Sequence, residues 1–124
     1  MVPIQERSLE FACRIVLLHE FLLKKRGTGR SLASQVLKSG TSVGANLEEA
    51  SGGQSKADFI AKCRIALKES RECRFWLRVL GKTGIVSAKQ IDPLIQESTE
   101  LVSILTAILK KATASSRRGV LQES

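Results

Sequence analysis

The chain has no tyrosine, one tryptophan, one histidine and two prolines in 124 residues, and aromatic side chains make up only 4% of it. Each scarcity removes something. With His19 as the only histidine, an imidazole metal centre lacks further ligands at matched spacing, and His19 reads as a packed or partly exposed residue. A di-iron helix bundle wants two Glu-x-x-His pairs, and the chain has none. Nucleophilic catalysis wants a base held beside a Ser or Cys, and nothing specifies one. So few aromatics leave no stacking platform for unpaired bases. No run of 18 apolar residues is present, so no membrane span is expected. The first residues lack the basic start, apolar run and small-residue cleavage site of a signal peptide, and a cytoplasmic protein is expected. Neither enzyme activity nor a metal or cofactor is expected.

What the chain does have is aliphatic periodicity. Hydrophobic residues make up 43% of a length that fits one domain with a real core. From Lys56 to Lys82, Phe59, Cys63, Ala66, Ser70, Cys73, Leu77 and Leu80 step by four and three, the seam of one long amphipathic helix. Leu32, Val36, Val43, Leu47 and Ala50 form a second stripe, and Leu94, Ser98, Leu101, Leu105, Ile108 and Ala112 a third. Near the N-terminus two stripes run side by side: Leu9, Ala12, Val16 and Leu23 beside Phe11, Ile15, Leu18 and Leu22. A helix this apolar either sits centrally or faces a second subunit. Ser8, Ser31 and Ser55 are placed to cap helices, and Gly27, Gly52-Gly53, Gly81 and Gly84 to end them. Asp92-Pro93 either starts the last helix or kinks it.

Helices are therefore expected over 8–26, 31–51, 55–82 and 92–114, with no credible strand. Short Gly/Ser connections favour antiparallel neighbours, which predicts an all-α, up-down-up-down four-helix bundle over 1–114 with a frayed tail over 115–124. Gly40 and Gly44 lie inside the second helix at a cost of about 1 kcal/mol each against Ala, which a closely approaching neighbour would justify. The segment between them ends in neither Gly-Lys-Ser nor Gly-Lys-Thr, so it is no phosphate loop. Cys13, Cys63 and Cys73 are an odd number, each on or near an apolar face, and are expected to be buried free thiols in a reducing compartment.

Charge is unevenly spread. The net charge is +8 and the isoelectric point about 9.9. Residues 55–84 alone hold eight Lys or Arg against three acids. At about 100° per residue, Arg64, Lys68, Arg71, Arg78 and Lys82 fall within roughly 80° of the third helix, with Arg74 and Lys56 at the edge. Glu69 and Glu72 lie on the opposite flank, near Ile65 and Trp76. Arg64, Lys68, Arg71, Arg74, Arg78 and Lys82 are thus the candidate contacts to a polyanion, with Arg117 and Arg118 of the tail as a supplement. Ile65, Glu69, Glu72 and Trp76 are candidate contacts between copies, with an exposed Trp76 as anchor.

The stretch SLASQVLKSGTSVGANLEEA (31–50) resembles the signature of the small bacterial 23S rRNA intervening-sequence proteins, and SKADFIAKCRIALKESRECRFWLRVL (55–80) continues the resemblance. The flanking helices resemble the family in pattern only. That family has no established biochemical function. Its members resemble the accessory variability determinant of diversity-generating retroelements, a basic pentameric bundle that works with a reverse transcriptase and nucleic acid. The resemblance implies a ring-shaped homopentamer with an RNA or DNA partner and supplies no catalytic residues.

Two readings follow. One is a basic, homo-oligomeric accessory protein that binds RNA or DNA through phosphate, with little sequence preference. The other is an interaction scaffold for a protein partner, its positive charge serving solubility alone.

Overall fold

The apolar periods become four helices in the computed structural model, which describes residues 2–52 and 55–123, with side chains described to residue 115. They are α1 (Ile4–Leu23), α2 (Thr28–Ser51), α3 (Lys56–Lys82) and α4 (Ala88–Glu123). Each helix packs on its neighbours in sequence, and α1 also meets α4, which closes the bundle. No strand occurs among the described residues. The chain is all-α, a four-helix bundle.

The expected boundaries shift for local reasons. Ser8 does not cap α1. Pro3, extended at φ −58° and ψ 149°, precedes a helix that starts at Ile4, and Arg7 N–H donates to the Pro3 carbonyl at 3.0 Å. Proline tolerates a helix start because its missing N–H would be unpaired there in any case. Ser8 instead lies buried in the second turn and donates to the Gln5 carbonyl at 3.0 Å. Ser31 likewise falls inside α2, whose N-cap is Gly27 at φ +86°, a backbone conformation that side chains resist. Ser55 does cap α3, accepting from Asp58 N–H at 3.1 Å. α4 begins a turn before Pro93, where the Ser87 carbonyl accepts from Ile91 N–H at 2.9 Å. Pro93 stays inside the helix on its exposed side, where water can satisfy the carbonyl left without a donor. The backbone of α4 remains helical to Glu123, past the expected end at 114. Gly53 and the side chains of Arg117 and Arg118 lie outside the described residues.

The core has two parts. One draws on all four helices: Phe11, Ile15, Leu18 and Leu22 of α1, Ala33 and Val36 of α2, Cys73, Leu77 and Leu80 of α3, and Ile91, Leu94 and Leu101 of α4. The other is built by α2, α3 and α4, from Val43, Leu47, Cys63, Ala66, Leu105 and Leu109, with Ile4 reaching it from α1. α1 is the shortest helix and covers less of that end. Leu32, Phe59 and Ile108, expected in the core, are half-buried at its margin.

Each helix also buries one serine: Ser8, Ser39, Ser70 and Ser98. Each donates to a carbonyl of its own helix, at 2.7–3.0 Å for the shortest bonds. A hydroxyl satisfied within its own helix fills little space and lets helix axes approach. The two glycines of α2 do the same toward α1. A β-carbon at Gly40 would lie 2.7 Å from Ile15 Cγ1 and Cγ2, and one at Gly44 would lie 3.3 Å from the Ser8 carbonyl oxygen.

Candidate nucleic-acid interface

The seam of α3 points into the core, so the residues opposite it must face solvent. Arg64, Lys68, Arg71, Arg78 and Lys82 are all exposed, and Arg74, at the edge of the arc, is half-buried. Among the described residues none of the six forms an ion pair. The ion pairs lie elsewhere: Arg7 with Glu97 and Glu100 across α1 and α4, and Lys62 with Glu49 across α3 and α2. The Arg7 guanidinium grips Glu97 with two nitrogens, at 2.6 and 3.1 Å, and this bonding raises its already high pKa. Glu49 likewise raises the Lys62 pKa through their hydrogen bond. Lys56, at the start of the arc, donates to Ser115 Oγ at 2.9 Å. Asp92 shares a shallow groove of about 280 Å³ with Arg78, Lys82, Gly81 and Ile95, which tempers the positive potential at that end.

Tertiary packing brings the cations of the α1–α2 turn to the end of the bundle that bears the α3–α4 turn. The start of α2 presses on the α3–α4 turn: a β-carbon at Gly29 would lie 2.9 Å from Ile85 Cγ2. The α1–α2 turn therefore sits beside the α3–α4 turn, and Lys25 and Arg26 line one groove with Gly84 and Ile85. Lys25 lies over the Phe21 ring, 4.9 Å from its centroid, and Arg30 donates to the Leu23 carbonyl at 2.7 Å. Lys24, Arg26 and Arg30 are exposed. Sequence separation hid this basic end from Lys82.

The expected contact flank between copies is placed differently. Ile65 is exposed, while Glu69 and Glu72 are half-buried. Trp76 is not the exposed anchor that was expected. It is half-buried, packs against the four-helix core, and its indole N–H points to Glu72 Oε1 at 3.5 Å. The exposed aromatic of α3 is its neighbour Phe75, 58% accessible. Phe75 lies about 160° from the centre of the seam, so the helical period alone would have found it. Its exposure also corrects the expectation that no aromatic is offered for stacking.

The outer surface of α1 is apolar. Leu9, Val16, Leu17 and Leu23 are exposed, Leu17 most of all at 68%. Cys13 lies in the same face and is exposed, against the expectation of burial, because α1 buries only its Phe11–Leu22 stripe. Cys63 and Cys73 are buried as expected. Burial pushes the Cys73 thiol up to about 12, with a hydrogen bond from Ser39 partly opposing it.

Among the described residues no three His, Cys, Asp or Glu side chains gather as they would around a metal ion. No helix is long and apolar enough to cross a membrane.

Comparison with known proteins agrees with the resemblance carried by residues 31–80. No curated protein matches the chain. A protein of unknown function from the S23 ribosomal protein family of Bacteroides thetaiotaomicron VPI-5482 is 42% identical, with a TM-score of 0.80 over 87% of this chain and 99% of that one. The profile of the 23S rRNA-intervening sequence proteins matches residues 2–107, and the chain belongs to that family.

Proposed function

We propose that the protein is a non-catalytic, basic, homo-oligomeric bundle of the cytoplasm that binds RNA or DNA through phosphate contacts as an accessory factor. The observation that carries this reading is the outward face of α3, with five exposed cations and no ion pair among the described residues. Assembly is supported by the apolar outer face of α1, which a solitary bundle would leave in water. The family resemblance, rather than any spacing, favours five copies in a ring. Such a ring would multiply the positive field on one particle. Cations facing Glu69 or Glu72 of a neighbouring copy would not be free for phosphate.

Fluorescence anisotropy with labelled single-stranded RNA and DNA tests this reading. Affinity should fall steeply with salt, with a log–log slope of about −0.7 per phosphate held. Changing both Arg78 and Lys82 to Ala should flatten that slope by about 0.7 for each phosphate those side chains no longer neutralise. Absence of binding at about 50 mM salt would defeat the proposal. The exposed face of α1 then favours the second reading, a scaffold whose apolar surface docks a different protein.

A further inference from the structure

Phe75 stands in the middle of the basic face rather than beside it. Taking about 100° per residue, Lys68, Arg71, Phe75, Arg78 and Lys82 share one arc of roughly 80° on α3. Arg71 precedes Phe75 by four residues and Arg78 follows it by three, so both are surface neighbours of the ring, about 5–6 Å away at the β-carbons. Lys68 and Lys82 lie seven residues to either side, about 10 Å along the axis. The row of charge is thus about 21 Å long, with one aromatic ring at its midpoint.

The ring has room for a partner. Phe75 is 58% exposed, and among the described residues no cation lies over it, whereas Lys25 does cover Phe21. Its aromatic neighbour is Trp76, with centroids 5.2 Å apart and planes inclined at 75°. A T-shaped contact uses at most one face of either ring, so at least one face of Phe75 is left over by Trp76. Trp76 is itself anchored on the core, and it supports the ring it touches.

An exposed aromatic with Arg71 and Arg78 on one side, and Glu72 three residues before it on the other, is costly in water and useful for one kind of ligand. Phosphates can meet the flanking Lys and Arg while a base stacks on the ring, which is how sequence-tolerant single-strand sites are built. A duplex keeps its bases stacked on one another and offers this ring only backbone.

We infer that α3 carries a single-strand site in which Phe75 stacks on an unpaired base of RNA while Lys68, Arg71, Arg78 and Lys82 hold the adjoining phosphates. RNA is the strand chosen because its loops and ends present unpaired bases, where cellular DNA is mostly duplex. The site rests on the nucleic-acid reading proposed for the basic face and narrows it from any polyanion to an unpaired strand.

The test uses the full chain and a labelled 12-nucleotide oligouridylate, with an RNA duplex of the same length as comparison. Phe75→Ala should weaken oligouridylate binding about 5- to 150-fold, the range for removing one base–aromatic stack. Its salt slope should stay unchanged, since every Lys and Arg that meets phosphate is still present. Phe75→Leu should weaken binding nearly as much as Phe75→Ala, and Phe75→Trp should bind at least as tightly as the natural chain. Duplex binding should be the same for all four proteins. Light scattering on each variant accompanies the titrations. If the natural chain binds oligouridylate and Phe75→Ala binds it equally well, the stacking site is overturned and the phosphate reading stands. If Phe75→Ala changes the oligomeric mass while Phe75→Leu restores both mass and binding, Phe75 is a contact between copies and the site is again overturned. If the natural chain binds no RNA or DNA at about 50 mM salt, the parent reading has failed with it.

Discussion

Gly40 of α2 and Ile15 of α1 occupy a single gap: a β-carbon on Gly40 would fall 2.7 Å from both γ-carbons of Ile15. Ile15 is fully buried and branched at the contact, so it cannot swing aside as the tip of a flexible chain would. Gly40→Ala gains about 1 kcal/mol of helix propensity. Overpacking of about 1–3 kcal/mol should outweigh it. The substitution should lower the melting temperature, and more than Gly44→Ala, whose β-carbon meets the Ser8 carbonyl at an easier 3.3 Å. In the Ile15→Ala background, Gly40→Ala should cost less than it does alone. A higher melting temperature for Gly40→Ala in the natural background would end the close-approach argument.

Arg7 ties the first two turns of α1 to α4, where the packing between those helices is thinnest. The pair with Glu97 is two-pronged and half-buried, which places it above an ordinary surface ion pair. Arg7→Ala should cost about 1 kcal/mol in chemical denaturation and speed hydrogen exchange at the N-terminal end of α1. Unchanged exchange there would mean that apolar packing alone holds the helix.

The three thiols should separate by reactivity. At mildly alkaline pH a chromogenic disulfide reagent should modify Cys13 quickly and reach Cys63 and Cys73 only on unfolding. Burial raises the Cys73 pKa from 9.0 to about 12. Above pH 9 the unfolded chain therefore loses this proton before the folded one does, and unfolding becomes easier. The stabilisation is fully present below pH 9 and is lost as pH rises through about 12, by up to about 4 kcal/mol. Cys73→Ala should lack this component of the alkaline fall. An identical alkaline profile for Cys73→Ala and the natural chain would count against it.

Assembly has its own signature. Val16→Glu and Leu9→Glu place charge on the outer face of α1, away from the core. They should reduce the oligomeric mass in light scattering and leave the circular dichroism spectrum unchanged. Glu69→Lys with Glu72→Lys should weaken assembly as well, most at low salt. A stable monomer of the natural chain at micromolar concentration would refute assembly through these surfaces.

Much of this was legible before any tertiary structure. The period of 3.6 marks four helices, and the seam from Cys63 to Leu80 is buried as its spacing requires. The same period places Arg64, Lys68, Arg71, Arg78 and Lys82 opposite that seam, where they are exposed. The glycines at 40 and 44 announced a close neighbour through the helix propensity they forgo, although not that Ile15 and Ser8 would be what they meet. Residues 31–80 also carried the family likeness.

Other features needed the neighbours in place. A helical period fixes directions about one axis, but burial depends on how far each adjoining helix extends over those directions. Trp76 and Ile65 point the same way on α3, yet the core reaches far enough to cover the indole and leaves Ile65 exposed. On α1 two apolar stripes look equivalent in sequence; only packing against α2 and α4 decides that Phe11, Ile15, Leu18 and Leu22 go inside while Cys13, Val16 and Leu17 stay out. Ser8 reads as a cap by composition and becomes a buried spacer because the helix starts at Ile4 and α2 offers Gly44 opposite it. Lys25 and Arg26 join the end of the bundle that bears Gly84 and Ile85 because two turns far apart in the chain meet there. Local periodicity determined the helices and their faces; the lengths and packing of the neighbouring helices decided which of those faces the finished bundle covers.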